Sequence, residues 1–389
     1  MYWQQNSKRV IMHYEAITNN RKPKTEKGII LIASLWMVAI LAVFAVSIGR
    51  QSAITLKLTS YDIDKIKAYF IARAGITRVV SEKKLEYKKN LSVGIDALSQ
   101  PWANNKALFD RHPFGDGSYT VSYEYPLSNQ GEDAPVTLYG LMDEESKINL
   151  NTVTEETLNN LLVYFDMDED NATEIAGAIL DWRDKDDLVM SSKNRLLYGA
   201  EDMYYQGLLE RYDCKNSDFN TIYELLLVKG IDSKVLNMIK PYITVFGSGK
   251  TNINSASEPV LSALLGPDFS NLASKIMDYR RGDDDLIGTS DDAWFSYGST
   301  ITYRGKEGLV EIKNLQDGQW YANIYGVTID EYSRIRSLIS GLNPQFQVTS
   351  DTYRAIVLAQ VKRVKMRLEA VYSFKDKEKP PLIKYWYQE

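Results

Sequence analysis

The sequence predicts an α+β protein: a long N-terminal helix, an antiparallel sheet assembled from segments far apart in the chain, and a large helical insert. Three observations carry that expectation. A 20-residue apolar run, Ile29 to Ile48, continues without proline into a stretch of helical spacing. Segments of period-two patterning lie on both sides of the chain's middle. The middle itself is a duplicated helical unit.

The bulk numbers set the frame. A chain of 389 residues, 44% hydrophobic and 25% charged, is long enough for two or three domains of globular type. Its formal net charge of -5 is unevenly spread. Lys8, Arg9, Arg21, Lys22, Lys24 and Lys27 against Glu15 and Glu26 leave the first 28 residues at +4 and the remainder at -9. An acidic body argues against general nucleic-acid binding, which relies on Lys and Arg releasing counterions from phosphates. Cys214 is the only cysteine, which excludes an intrachain disulfide and a Cys-based metal site. Of the two histidines, His13 and His112, the second sits in a turn-like "RHPFGDG" and reads as a surface residue.

The helix comes first. Twenty helical residues rise about 30 Å, the thickness of a bilayer's hydrocarbon core. The run is longer than the apolar part of an ordinary signal peptide, and no A-x-A site follows it. Basic residues just before it place the N-terminus in the cytoplasm and the body outside. From Gln51 to about Tyr87 there is no proline, and Ile54, Leu58, Tyr61, Ile66, Tyr69, Ile76 and Val80 recur at roughly helical spacing. That face is expected to lie against a soluble domain.

Strands frame the insert. "GSYTVSYEYPL" (117–127) alternates Tyr119, Val121, Tyr123 and Tyr125, and "APVTLYGLMDEE" (134–145) is a second strand. After the insert come "PQFQVTSD", "YRAIVLAQVKRVKMRLEAVYSF", with a hairpin or bulge near Val361 to Lys365, and "PLIKYWYQE". All are expected in one antiparallel sheet against the helix.

In the insert, "KINLNTVTEETLNNLL" (147–162) aligns without gaps on "KTNINSASEPVLSALL" (250–265). "ILDWRDKDD" (179–187) echoes "IMDYRRGDDD" (276–285), and "VKGIDSKVLNMIKPYI" resembles "IYGVTIDEYSRIRSLI", in the same order. Thr154 and Ser257 are candidate N-caps. The pairs Asn149 and Asn151, and Asn252 and Asn254, are expected to satisfy the backbone of the turn entering each helix. "LLLVKGID" (225–232) looks like half of a helix-hairpin-helix, whose glycines would present N–H groups to a phosphate. Asp232 replaces the second Gly, and Thr328 does so in the other copy. A SAM-like helical packing fold is therefore preferred over DNA binding.

"RGDDDLIGTSDDAWF" (281–295) packs five Asp into ten residues, with Gly282 and Gly288 between them. Hard oxygen ligands on a Gly-containing loop suit Ca2+, with Asp283, Asp285, Asp291 and Asp292 as the candidate ligands. The alternative is an acidic solvated loop. The corresponding loop of the first unit offers Asp184, Asp186, Glu201 and Asp202 as a second candidate set. No P-loop, G-x-S-x-G or H-E-x-x-H motif occurs, and "GSGK" (247–250) reads as a joint between the two units. Asp283 and Asp291 could pair as acid and base, but nothing singles out a substrate pocket. The chain reads as a non-enzyme.

A basic leader ending in Gly, then an apolar helix running on into a globular domain, resembles the N-terminus of type IV pilins and pseudopilins. The resemblance implies cleavage by a prepilin peptidase between Gly28 and Ile29 and methylation of the new N-terminus. Met12 is an alternative start to Met1. Where most of that family carries Glu at the fifth mature position, this sequence has Ala33. The departure argues against ordinary mid-filament packing and fits the K class of type II secretion minor pseudopilins, which sits at the filament tip. "NLNTVTEETLNNLL", "ILDWRDKDD", "YGAEDMYY", "ELLLVKGI" and "GKTNINSASEPVL" are similar to that family's stretches, in its order.

The resemblance implies a pilin-like domain interrupted by two SAM-like repeats. The parts are a leader (1–28), the transmembrane (29–48) and soluble (49–90) halves of the helix, and the first part of the pilin-like domain (91–145). The two repeats (146–248 and 249–343) and the C-terminal strands (344–389) follow. Ala33, Leu35 and Trp36 would lie on the assembly helix. It further implies an inner-membrane protein with a periplasmic body, bound calcium, and a role in starting pseudopilus assembly for export across the outer membrane. The implied partners are other minor pseudopilins, the major pseudopilin, the prepilin peptidase, the inner-membrane secretion platform and secreted substrates. Two alternatives stand beside it: a minor pilin of a type IV pilus, and a membrane-anchored DNA receptor using the hairpin motifs.

Overall fold

The computed structural model describes residues 27–89, 94–127, 134–191, 198–295, 301–305, 308–312, 327–340 and 344–389. The leader up to Glu26 with Met12, the turn at 128–133 and the 324–326 start of the last repeat segment lie outside them. Two compact units are present, Met1–Asp62 and Ile63–Glu389.

In the first unit the described residues belong to helix α1 (Lys27–Lys89). Every large apolar side chain from Ile29 to Ile48 is exposed, the least exposed being Ile40 at 51%. In water that surface would be strongly unfavourable, at about 25 cal/mol per Å² of apolar area. A solvent of lipid or of other apolar helices is implied by this surface alone.

In the second unit α1 buries part of the expected face, centred on small residues. Asp64, Ala68, Ile71, Ala72, Gly75, Ile76 and Val79 form its packed stripe, with Tyr69 and Val80 packed at its margin; Ile66 is exposed, as are Ile54, Leu58 and Tyr61 in the first unit. Small residues let the helix approach the sheet closely. A Cβ at Gly75 would lie 2.9 Å from both Tyr119 and Val357. The expected apolar residues marked the helix and part of its packed face, Tyr69, Ile76 and Val80, but not the small residues at the centre of that face, where close approach selects for small side chains.

Helix α2 (Lys106–Phe109) precedes the hairpin β1 (His112–Phe114) and β2 (Gly117–Val121). β3 (Tyr123–Tyr125) then turns aside to pair with β4 (Val136–Leu138), and β5 (Met142–Asp143) returns to the main sheet. The first repeat holds β6 (Ile148–Asn149), α3 (Glu155–Tyr164), α4 (Glu169–Arg183), α5 (Asp202–Tyr205), α6 (Ser233–Ile239) and β7 (Ile243–Thr244). The second holds β8 (Thr251–Asn252), α7 (Glu258–Leu265), α8 (Ser270–Arg280), the hairpin of β9 (Ile301–Gly305) and β10 (Gly308–Ile312), α9 (Ile329–Ser340) and β11 (Phe346–Gln347). β12 (Thr352–Val361), β13 (Val364–Ser373) and β14 (Leu382–Gln388) complete the chain.

Among the described residues the main sheet is antiparallel in the order β1-β2-β12-β13-β14, with β5 also on β12. Alternation along β12 buries Ala355, Val357, Ala359 and Val361 in one core with Ala68, Ile71, Ile76 and Val79 of α1. The β12–β13 hairpin turns at Lys362, which takes φ 50°, inside the expected 361–365 window. Three expected strands are corrected. "APVTLYGLMDEE" divides into β4, which pairs with β3 outside the main sheet, and β5, which joins β12. "GSYTVSYEYPL" breaks at Ser122, and its second half joins the core of the helical body. "PQFQVTSD" is not in the main sheet: β11 pairs in parallel with β8.

That pairing completes the duplication. Each repeat opens with an Asn-bearing segment and closes by bringing its last segment back in parallel, β7 on β6 and β11 on β8. Asn151 Nδ2 donates to the Phe219 carbonyl (3.0 Å) and its Oδ1 accepts from the Phe219 N–H (2.7 Å). Asn254 does the same with Phe295, at 2.9 and 2.7 Å. Asn149 and Asn252 accept from the backbone N–H of Asn151 and Asn254, the structural role expected for them. Thr154 caps α3 through the Thr157 N–H, whereas Ser257 occupies the cap position of α7 without a side-chain cap bond.

Candidate functional site

At the N-terminal end, Gly28 opens into free space, with no atom within 4 Å of where a Cβ would be. Ile29, Leu35 and Trp36 are 67%, 71% and 65% exposed, and Ala33 stands on the same uncovered helix. α1 is long and apolar enough to cross a membrane, by length and composition.

A second site arises where α4 ends. Asp181 lies in the helix's last turns on its buried face, between Ile179 and Trp182. Asp184 is the C-cap of α4, and Glu201 precedes α5 without making a side-chain cap bond. One ligand oxygen from each of Asp181, Asp184 and Glu201 falls within 4.8 Å of the others. Gly199 permits this: a Cβ there would collide with the Asp181 carboxylate. Asp181 accepts from the N–H groups of Met190 (3.1 Å) and Ala200 (2.7 Å). Both Glu201 oxygens and Asp184 Oδ1 are buried without a hydrogen-bond partner.

Such a set is electrostatically unsatisfied. Burial, followed by the Asp181 charge, pushes Glu201 up to about 7, and burial pushes Asp181 up to about 6. Cys214 lies beside them but gives its thiol hydrogen to the Asp181 carbonyl (3.6 Å), and burial pushes that thiol up to about 12. It remains a neutral thiol, so the donors on offer are carboxylate oxygens. A hard divalent cation fits them, since it would satisfy three orphaned oxygens and cancel the repulsion.

The sequence candidates divide accordingly. Asp184 and Glu201 belong to this cluster. Asp186 accepts from the Leu188 N–H in its own turn and Asp202 from the Cys214 N–H twelve residues on, so both are engaged by backbone outside the cluster. Asp181 was missed; its signal was an acid between apolar residues on a helix's inner face. Among the described residues Asp283, Asp285, Asp291 and Asp292 do not converge as a ligand set. Asp291 accepts from the N–H groups of Asp283 (2.7 Å) and Asp284 (3.1 Å), and Asp292 from those of Gly288 (2.8 Å) and Thr289 (3.1 Å). Backbone amides, rather than mutual repulsion, decide this loop's shape.

A third cluster joins the sheet to the helical body. Asp143, Glu144 and Glu145 are consecutive and all buried. Asp143 accepts from Ser255 (2.5 Å), Ser350 (2.7 Å) and Asn252 (3.0 Å). Glu144 binds Arg354 and Thr244, and Glu145 accepts from Ser248 (2.6 Å), Asp351 (2.8 Å) and Gln347 (2.9 Å). Three adjacent acids thus bind strand β12, the end of the first repeat and both ends of the second. Nearby, Lys83 of α1 is fully buried, pairs with Asp96 and faces the rings of Trp102 (4.1 Å), Tyr87 and Tyr353. In the hairpin at Gly230, Asp232 caps α6 by accepting from the N–H groups of Lys234 and Val235. The amides that a phosphate would use there are already taken.

Comparison with known proteins places these features in a family. The family described as type II secretion system (T2SS), protein K, matches residues 138–248. Type II secretion system protein K of Aeromonas hydrophila is 24% identical over 364 residues, covering 90% of this chain and 93% of that protein. The protein of the same description from Pseudomonas aeruginosa is 23% identical over 259 residues, covering 66% and 72%. Among solved structures, a chain of the GspK-GspI-GspJ complex from enterotoxigenic Escherichia coli superposes with a TM-score of 0.58 at 16% identity. That match spans 85% of this chain and 99% of the other, and shows the shared fold. In sequence over most of its length and in fold, the chain is similar to protein K of type II secretion, which supports a minor pseudopilin of the K class.

Proposed function

We propose that this protein caps the tip of the type II secretion pseudopilus, starts its assembly with other minor pseudopilins, and supports protein export across the outer membrane. The observation that carries this is the uncovered apolar stretch Ile29 to Ile48, uncharged at Ala33, on a chain with a large helical insert. Such a stretch needs lipid or neighbouring helices to cover it. Without a Glu at Ala33 it lacks the charge that its filament relatives carry. The insert, residues 146–343, is too bulky to repeat along a closely packed filament but can stand at its end.

The basic leader sets the N-terminus in the cytoplasm and the body in the periplasm. Prepilin peptidase would cut after Gly28 and leave a methylated Ile29. The E. coli relative was solved with GspI and GspJ, which supports other minor pseudopilins as partners here. The major pseudopilin, the inner-membrane platform and the secreted substrates follow as further partners of that role. In such a role the protein acts by shape and contact, as a structural component of the machine rather than as a catalyst.

We assign a structural Ca2+ to Asp181, Asp184 and Glu201 on the strength of their convergence and of the orphaned oxygens of Asp184 and Glu201. Bound there, it would tie the end of α4 to the start of α5.

The test is made in cells that carry the secretion system. Mass spectrometry of the purified protein is expected to show an N-terminus at methylated Ile29. Deleting the gene is expected to abolish pseudopili and retain the secreted enzymes in the periplasm, with rescue by the wild type. An intact leader, or normal export without the protein, would refute the assignment.

A further inference from the structure

The sheet face turned away from α1 is not bare. Along β12, Arg354 and Ile356 alternate with the residues that meet α1. Register sets Ile356 beside Glu369 of β13 and Tyr387 of β14, and Arg354 beside Val371 and Tyr385. Opposite stands the first helical repeat, with Tyr223, Asn237 and Phe246. Between them is a cavity of about 530 Å³, within the size range of small-molecule sites.

Its charges are already answered. Glu369 accepts from Arg354 and from Arg367 (2.9 Å), and Arg354 also pairs with Glu144 behind the wall. Arg367 lies 4.0 Å from the Glu389 carboxylate, and Lys147 3.9 Å from Glu144. Lys240 donates to the Tyr223 hydroxyl (2.8 Å). A charged ligand would have to displace one of these pairs. A wholly apolar ligand would strip water from Arg367, Glu369 and Asn237 without replacing its hydrogen bonds. What remains open is a set of planar polar groups beside ring faces: Tyr387 is 42% and Tyr223 52% exposed.

We propose that this cleft binds a neutral oligosaccharide. A guanidinium and a carboxylate in the sheet wall, with the Asn237 amide on the wall opposite, suit the hydroxyls of a sugar held between them, while the C–H face of a pyranose stacks on Tyr387 or Tyr223. An extended peptide would instead add to the outer edge of β14, which among the described residues pairs with β13 alone, and not to the side-chain face that lines this cavity. The site is independent of any position at a filament tip.

The test uses the full chain in phospholipid nanodiscs, which avoid sugar-headed detergents. Maltotetraose and a tetramer of N-acetylglucosamine are titrated by calorimetry and by saturation-transfer NMR. An unrelated extended peptide is titrated in parallel, and Tm checks that each variant is folded. Binding of either sugar is expected. It should weaken roughly fivefold or more in Tyr387→Ala and Asn237→Ala and be kept in Tyr387→Phe, which retains the ring. No binding of either sugar at millimolar concentration would show a solvent-filled joint only and overturn the proposal. Binding unchanged in both alanine variants, or binding of the peptide alone, would overturn it as well.

Discussion

At the scale of single residues, this protein places charge where charge is costly and answers it with specific partners. Lys83 and Asp96 are the sharpest case, since each is buried and each is the other's counterion. Lys83→Met is expected to destabilise the body by about 3–5 kcal/mol, because Asp96 would be left buried without its counterion. Urea denaturation would measure it, and the double change with Asp96→Asn should recover part of the loss. At the carboxylate cluster the expectation differs. Adding Ca2+ should raise the wild-type Tm at pH 7.5, by mass action on the folded state. In Glu201→Gln or Asp181→Asn the rise should disappear, while the fold persists in EDTA. A wild-type Tm indifferent to both Ca2+ and EDTA would remove the ion from the account.

At the scale of elements, two comparisons separate patterns that look alike in sequence. Thr154 and Ser257 occupy the same position of the two repeats, but only Thr154 bonds the helix it precedes. Thr154→Ala should therefore cost about 1 kcal/mol in denaturant unfolding. Ser257→Ala should lack that cap contribution, and equal losses at both sites would contradict the geometry. On α1, Gly75→Ala should destabilise by roughly 1–3 kcal/mol, because its Cβ meets Tyr119 and Val357 at 2.9 Å. Helix propensity alone predicts the opposite sign, about 1 kcal/mol of stabilisation for removing a mid-helix glycine. The sign of the measured change thus decides between packing and propensity.

At the scale of the whole molecule, the buried acids predict an uncommon response to pH. Burial pushes Asp143 up to about 6, and burial with the Asp143 charge pushes Glu145 up to about 7. A carboxyl group raised in the folded state takes up its proton more readily there than in the unfolded chain. Its stabilising effect is complete below its ordinary range and is lost as pH rises through 6 to 7. Asp181 and Glu201 act in the same direction when no cation is bound. Glu144 opposes them. Burial raises it, but Arg354 and Lys147 outweigh burial and hold it at about 2, so its contribution disappears only in strong acid. In EDTA, Tm is therefore expected to be higher near pH 5 than near pH 8, and to fall again towards pH 2. Asp143→Asn with Glu145→Gln should flatten the upper limb; an unchanged slope would show that these acids do not control it.

What the sequence alone determined was whatever rests on local pattern. The apolar run Ile29 to Ile48, the period-two strands 352–361 and 364–373 and the gap-free duplication from Lys147 and Lys250 each carry their signal within a few turns of chain. The paired Asn residues were legible for the same reason, since they act two residues away. Tertiary structure decided which surfaces meet. Large apolar residues announced α1, yet Ala68, Ala72 and Gly75 chose its packed face, because closeness to the sheet favours what is small. Two acid-rich loops read alike, but backbone amides engage Asp291 and Asp292, while Asp184 and Glu201, beside Asp181, are left with oxygens to satisfy. Asp143, Glu144 and Glu145 showed no function in one dimension, for their partners lie about a hundred residues or more away and become neighbours only in the folded chain.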